Sequence, residues 1–205
     1  MAKIKLTKGE LKRQRDALRQ YERFLPTLQL KKQQLQIEIL RQQVLLGEKR
    51  QQEETKRRSM DAWLGLLAEP RVRVWQWVKP KSVVTTTRNV AGVDVPVFER
   101  ADFPAAEYDL FTMPLWVDAG LEALRNLVSL RREIGVLEEG AAVLRQELRI
   151  TTQRVNLFEK VKIPEAEEVI RLIKIYLGDQ MANAVGRSKI AKKKIEETEL
   201  AGVAA

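Results

Sequence analysis

Among the glutamates that stand in adjacent pairs are Glu138-Glu139 and Glu167-Glu168, a grouping that in an active site could divide acid and base work between two carboxyls. On a helix, however, neighbouring positions point about 100° apart and do not face one another, so neither pair makes a catalytic couple. The 205 residues include no histidine and no cysteine. That removes imidazole proton transfer, thiol nucleophiles, disulfides and Cys or His zinc sites together. Gly47-Glu48-Lys49 lacks the G-x-x-x-x-G-K-[ST] spacing of a phosphate loop, and no G-x-G-x-x-G follows a strand pattern. The expectation is therefore a chain with no catalytic residue, no cofactor-binding residue and no metal ligand.

Charge is the next chemical resource. Lys and Arg number 37 against 28 Asp and Glu, a formal net charge of +9, which favours anionic partners through long-range attraction. The densest basic run, Arg187-Ser188-Lys189-Ile190-Ala191-Lys192-Lys193-Lys194, lies near the C-terminus. Elsewhere bases and acids interleave and form no continuous stripe with stacking aromatics, which argues against a nucleic-acid binder. A basic coiled-coil nucleic-acid-binding or scaffold protein remains the alternative reading. No run reaches the roughly 18 apolar residues of a membrane span, and the charged start lacks a signal-peptide core. A cytoplasmic protein is expected.

The elements that must carry these side chains are helices. Charged residues make up 32% of the chain and aromatics only 6%, a balance that suits long helices with solvated flanks. Leu127, Leu130, Ile134, Leu137, Ala141, Leu144, Leu148, Thr151, Val155 and Phe158 alternate steps of three and four residues without a slip. That is a coiled-coil seam. A second seam uses Leu11, Leu18, Tyr21, Leu25, Leu28, Leu35, Ile39 and Leu46, with Gln14, Lys32, Gln42 and Lys49 at its other positions. Thr7 and Glu10 fit a capping box at its start, and Pro26 is expected to kink or break the helix near Leu25.

Between the seams the pattern changes to period two. Arg71 to Val78 alternates strictly and reads as a half-buried strand, with further strands at Ser82–Val90 and Val93–Phe98. Trp63, Trp75, Trp77 and Trp116 cluster around this middle, where packing of a small globule explains them better than a ligand cage. The second helix restarts after Pro164, and Val169, Leu172, Ile173, Tyr176 and Leu177 form its next apolar stripe.

The fold expected is mainly α: a long antiparallel two-helix coiled coil with a small β-hairpin-containing globular insertion between the helices. Its parts are a first helix over 7–67, a β-rich globular end over 70–114, a second helix over 115–199, and a disordered tail over 200–205. At about 1.5 Å per residue the helices span about 90 and 120 Å, leaving an overhang of roughly 30 Å at the basic tip.

Several segments resemble a known family. Thr151-Thr152-Gln153-Arg154-Val155-Asn156-Leu157-Phe158-Glu159, then Ile163-Pro164 and Ile170-Arg171-Leu172-Ile173, is similar to the C-terminal helix of the D subunit of V-type and archaeal-type rotary ATPases. Asn89-Val90-Ala91-Gly92-Val93 with Pro96 and Phe98 resembles that family's hairpin. Leu6 to Leu11 and Leu30 to Leu35 resemble its first helix more distantly, and Phe24 to Leu30, with Pro26, departs from it as in a divergent bacterial branch.

The resemblance implies a non-catalytic central rotor shaft. It would couple ATP synthesis or hydrolysis in a ring of A and B subunits to proton or sodium transport. Further partners implied are the F subunit, bound to the shaft, and the C subunit, facing the globular end, with the complex peripheral on the cytoplasmic face of the inner membrane. Partner contacts are then expected from Arg154 and Asn156, and from Arg187, Lys189, Lys192 and Lys193 at the tip.

Overall fold

The computed structural model describes residues 5–69, 72, 74–109 and 111–203. The elements are α1 (Lys8–Asp61), a 3-10 turn (Leu64–Ala68), α2 (Trp75–Val78), β1 (Ser82–Val90), β2 (Val93–Asp102), α3 (Trp116–Leu157), a π turn (Phe158–Lys162) and α4 (Ile163–Val203). The fold is mainly α with one antiparallel hairpin between the long helices. These elements form two compact units, one from the described residues up to Gln29 and from Gln153 on, the other from Leu30–Thr152.

In the second unit α1 and α3 run antiparallel, as their ion pairs record. Lys31 reaches Glu147 at 2.8 Å and Lys49 reaches Glu133 at 2.7 Å, so partners descend along α3 as numbers rise along α1. Leu35, Ile39 and Gln42 of α1 and Leu130, Ile134, Ala141, Leu144 and Thr151 of α3 are buried on the facing stripes. The hairpin folds over this seam: Val95 joins Leu35, Ile39 and Leu144 in one cluster, with Val90, Ala91 and Val93 packed beside it. Gly140 makes the approach possible. A Cβ there would lie 2.8 Å from Val95 Cγ1, closer than carbons pack.

The hairpin closes through Ala91 and Gly92, both at positive φ, which is the two-residue turn that matches strand twist. Asn89 braces it, accepting from the Gly92 N–H at 3.0 Å and donating to Asp94 Oδ1 at 2.7 Å. Arg88 pairs with Glu38 and ties the hairpin to α1.

Several sequence expectations need correcting, the first being the extent of the first helix, which ends at Asp61 rather than 67 and gives way to the separate 3-10 turn at Leu64–Ala68. Within the alternating segment, Trp75–Val78 is a turn of helix and not a strand, while Arg71 and Arg73, like Pro70, lie outside the described residues. A strand needs a ladder partner, and β1 and β2 take each other. Val72, Val74 and Trp77 bury themselves instead against Val117 and Leu121 of α3. Arg125 fixes this packing, donating from Nε to the Trp77 carbonyl at 3.1 Å and from Nη2 to the Pro104 carbonyl at 2.6 Å.

Pro26 does not break α1, which stays helical on both sides with Leu25 and Leu28 half-buried on the seam frame. The proline removes one backbone bond, while seam contacts before and after it continue. Nor does the last helix end at 199, since α4 is helical to Val203, with Ala204 and Ala205 outside the described residues.

The first unit brings the start of α1 together with the end of α3, the π turn and α4. Thr7 Oγ1 accepts from the Glu10 N–H at 3.3 Å, capping α1. Tyr21 stacks on Phe158. The buried residues of α4 are Ala166, Ile170 and Ile173, and Val155 is buried just before the π turn.

That set reveals a slip. Continuing the α3 frame past Val155 and Phe158 by alternating steps leads to Lys162, Glu165, Val169, Leu172 and Tyr176. The structure instead buries Ala166, Ile170 and Ile173 and half-buries Leu177, each one residue later, while Leu172 and Tyr176 are 39% and 40% exposed. The expected stripe straddled the two frames. The π turn supplies the extra residue: the Ile163 N–H bonds the Phe158 carbonyl, five residues back rather than four. Two features favour it. Pro164 has no N–H for the Lys160 carbonyl and its ring crowds that carbonyl, and the slip replaces Glu165 by Ala166 on the apolar face.

Candidate interaction surfaces

Among the described residues no group of three or more carboxylates, histidines or cysteines is placed to hold a metal. One glutamate of each pair is engaged in an ion pair: Glu138 with Arg50 at 2.6 Å, and Glu168 with Arg171 through two bonds of 2.7 and 2.8 Å. The Arg171 hydrogen bonds hold the exposed Glu168 carboxyl below its ordinary range. Such a group stays charged and fits a structural pair, not a proton donor at neutral pH.

What the surface does offer is helix faces. Arg154 and Asn156 are exposed on the last turn of α3. Arg187, Lys189, Lys192 and Lys193 are exposed on α4, and every described side chain from Gly178 to Glu197 is exposed as well. Lys192 and Lys193 each have a glutamate four residues on, Glu196 and Glu197, at 3.8 Å. Such pairs are screened and loosely held, so these ammonium groups stay available to a partner. Arg154 and Asn156 do not join the lysines in one cluster, since most of α4 separates them. Among these polar groups stand Met181, Val185, Ile190 and Ile195, each more than half exposed.

Two further surfaces escaped the sequence reading. On α1, Leu30, Ile37, Leu40 and Val44 are each more than half exposed, with Leu45 beside them. The steps of seven from Leu30 through Ile37 to Val44 repeat a heptad on a face separate from the buried Leu35 and Ile39, and that spacing was a readable signal. In the region packed against the start of α3, Phe111 and Leu115 are 99% and 97% exposed, and Trp75 is 64% exposed. Of the four tryptophans, Trp77 is buried in the core and Trp116 packs beside it, its Nε1 donating to Glu69 Oε2 at 3.4 Å. Trp75 faces outward. No helix among the described residues is long and apolar enough to cross a membrane.

Comparison with known proteins gives these surfaces a context. The family model for the D subunit of ATP synthase matches residues 10–193. A Borreliella burgdorferi protein, named as the D subunit of V-type ATP synthase, is 43% identical over 195 residues, covering 95% of this chain and 96% of that protein. Proteins of the same name from Chlamydia abortus and Chlamydia trachomatis serovar L2 are 36% and 34% identical, each over 96% of this chain. They are covered over 95% and 98% of their own lengths, so the similarity runs through both units and the hairpin.

Proposed function

The chain belongs to the family of ATP synthase D subunits, and from that membership we propose that it serves as the non-catalytic rotor shaft in the central stalk of a V-type ATP synthase or ATPase. The observation that carries the reading is a family match over 10–193 that spans the paired helices and the hairpin alike. As part of such a complex it takes part in coupling ATP synthesis or hydrolysis to ion transport. The absence of histidine and cysteine, and the ion pairs that engage Glu138 and Glu168, suit a mechanical role.

Torque transmission asks for stiffness and for weak contact with the surrounding sleeve. Interlocked helices meet the first demand, because core packing is dense and resists shear. The exposed segment of α4 from Gly178 to Glu197 meets the second, with screened lysines and scattered apolar residues. In this reading that segment turns inside a ring of A and B subunits. Differential contact with the ring's conformations then decides which A/B pair is open, since only a difference in interaction free energy moves such an equilibrium.

The other surfaces fit the remaining partners. The heptad face of Leu30, Ile37, Leu40 and Val44 suits a helix of the F subunit, and the projecting Phe111 and Leu115 suit the C subunit. The complex would lie peripherally on the cytoplasmic face of the membrane. Pull-down of the intact chain from its own cells should recover the A and B subunits. Removing everything from Gly186 onward should leave the A/B ring hydrolysing ATP without coupled rotation. ATP turnover by the isolated chain, or full coupling by the truncated one, would overturn the reading.

A further inference from the structure

The slip at the π turn leaves α4 with two apolar stripes one residue apart. One is in use: Ala166, Ile170, Ile173 and Leu177. The other, half-buried Val169 followed by exposed Leu172 and Tyr176, is what the α3 frame would select if Phe158–Lys162 were ordinary α-helix. Beyond Leu177 neither stripe continues into buried packing, because every described side chain from Gly178 to Glu197 is exposed. Among the described residues, no buried side chain downstream locks the register.

We propose that the π turn is a register switch, which lets α4 exchange between these two stripes against the start of α1. Conversion of the turn to α-helix withdraws one residue from it. The helix beyond rotates about its own axis by about 100° relative to the seam, the angle of one residue in an α-helix. Backbone bonds change partners rather than being lost, because each i→i+5 bond that breaks is replaced by an i→i+4 bond.

The side chains explain which state is resident. The used stripe starts with Ala166, whereas the unused one starts with Glu165, whose carboxylate lies 3.5 Å from Lys162 on the same helix. Seating Glu165 on the seam, after Lys162 of the π turn at the preceding frame position, would desolvate it, and that cost holds the balance toward the slipped register. Pro164 pushes the same way by opposing a regular α turn behind it. Against these, Leu172 and Tyr176 offer larger apolar bodies than they now bury. The balance is thus between two packed states, not between packing and fraying.

For a rotor shaft, an assignment that rests on the preceding subsection, this exchange supplies torsional give between the helices of the first unit. The switch itself is a property of α4 and α1 and is tested without partners. The chain has no cysteine, so single thiols report burial cleanly. In the full chain, Ile173→Cys and Leu172→Cys are each alkylated alone, then in a background carrying Glu165→Ala and Ile170→Gln, which disfavours the used stripe and relieves the unused one.

Alone, the thiol at 172 should react at least about tenfold faster than the one at 173, as expected for an exposed against a protected site. In the double background the order should reverse with helical circular dichroism retained. If both thiols become fast, α4 has peeled away and there is no second register. An unchanged order would overturn the proposal equally. A chain that fails to recover A and B subunits yet reverses its thiol order would overturn the shaft reading and leave the switch standing.

Discussion

The Tyr21 ring stacks on Phe158, with centroids 5.3 Å apart and planes 27° from parallel. Phe158 opens the π turn, so this contact joins α1 to the start of that turn, where the seam slips. Offset aromatic pairs add about 0.5–1.5 kcal/mol beyond their buried area. A double-mutant cycle of Tyr21→Leu and Phe158→Leu, followed by urea unfolding, should give a coupling energy in that range. A coupling near zero would mean that the rings merely lie alongside each other.

The π turn holds one residue more than the α frame needs, so taking one out should be tolerated. Deleting Lys160 lets the turn close as α-helix while Ala166, Ile170, Ile173 and Leu177 keep their face. We expect retained helicity and continued protection of a thiol placed at Ile173. Adding Pro164→Ala to the deletion should then raise stability by about 1–3 kcal/mol, the burden of a proline within a helix. Loss of cooperative unfolding on deletion alone would show that the extra residue is needed for packing itself.

Much of this architecture could be read from residue spacing. The α1 frame from Leu11 through Leu25, Leu28, Leu35 and Ile39 to Lys49 is buried or half-buried at each step, and the strands on either side of Asn89 to Gly92 pair as hairpin turn chemistry implies. The slip was not legible, because periodicity assumes one residue count per turn and both stripes of α4 are apolar. Lys162 and Glu165 at successive seam positions were the signal against the unslipped frame. Arg71 to Val78 misled in the opposite way, since alternation reports two-sidedness but not whether a ladder partner exists. The interaction faces were hardest to see. Arg154 and Asn156 drew attention through resemblance, whereas Ile37, Leu40 and Val44 were absorbed into a generally apolar helix.

Gln42 occupies a seam position between α1 and α3 and is only 6% exposed, yet its Oε1 has no hydrogen-bond partner among the described residues. A buried acceptor left unpaired costs about 1–3 kcal/mol, more than a typical hydrogen bond returns. Methionine has similar volume and flexibility without the polar atoms. Gln42→Met should therefore stabilise the protein by about 1–2 kcal/mol in urea unfolding. A destabilised variant would mean that the amide serves register rather than stability, as a single polar seam residue can.

Tyr108 donates its hydroxyl proton to Asp118 Oδ1, and that bond is the main cause lifting the phenol above its ordinary value of about 10, with burial and the Asp118 charge adding to it. Arg125 opposes the shift. A group whose folded pKa is raised contributes stability that is fully present below the unfolded value. That contribution is lost as pH climbs from about 10 through the folded value. In a Tyr21→Phe, Tyr176→Phe background, Asp118→Asn should lower the midpoint of the Tyr108 phenolate absorbance. The same substitution should flatten the decline of stability above about pH 10. An unmoved midpoint would show that burial, not the Asp118 bond, holds the proton in place.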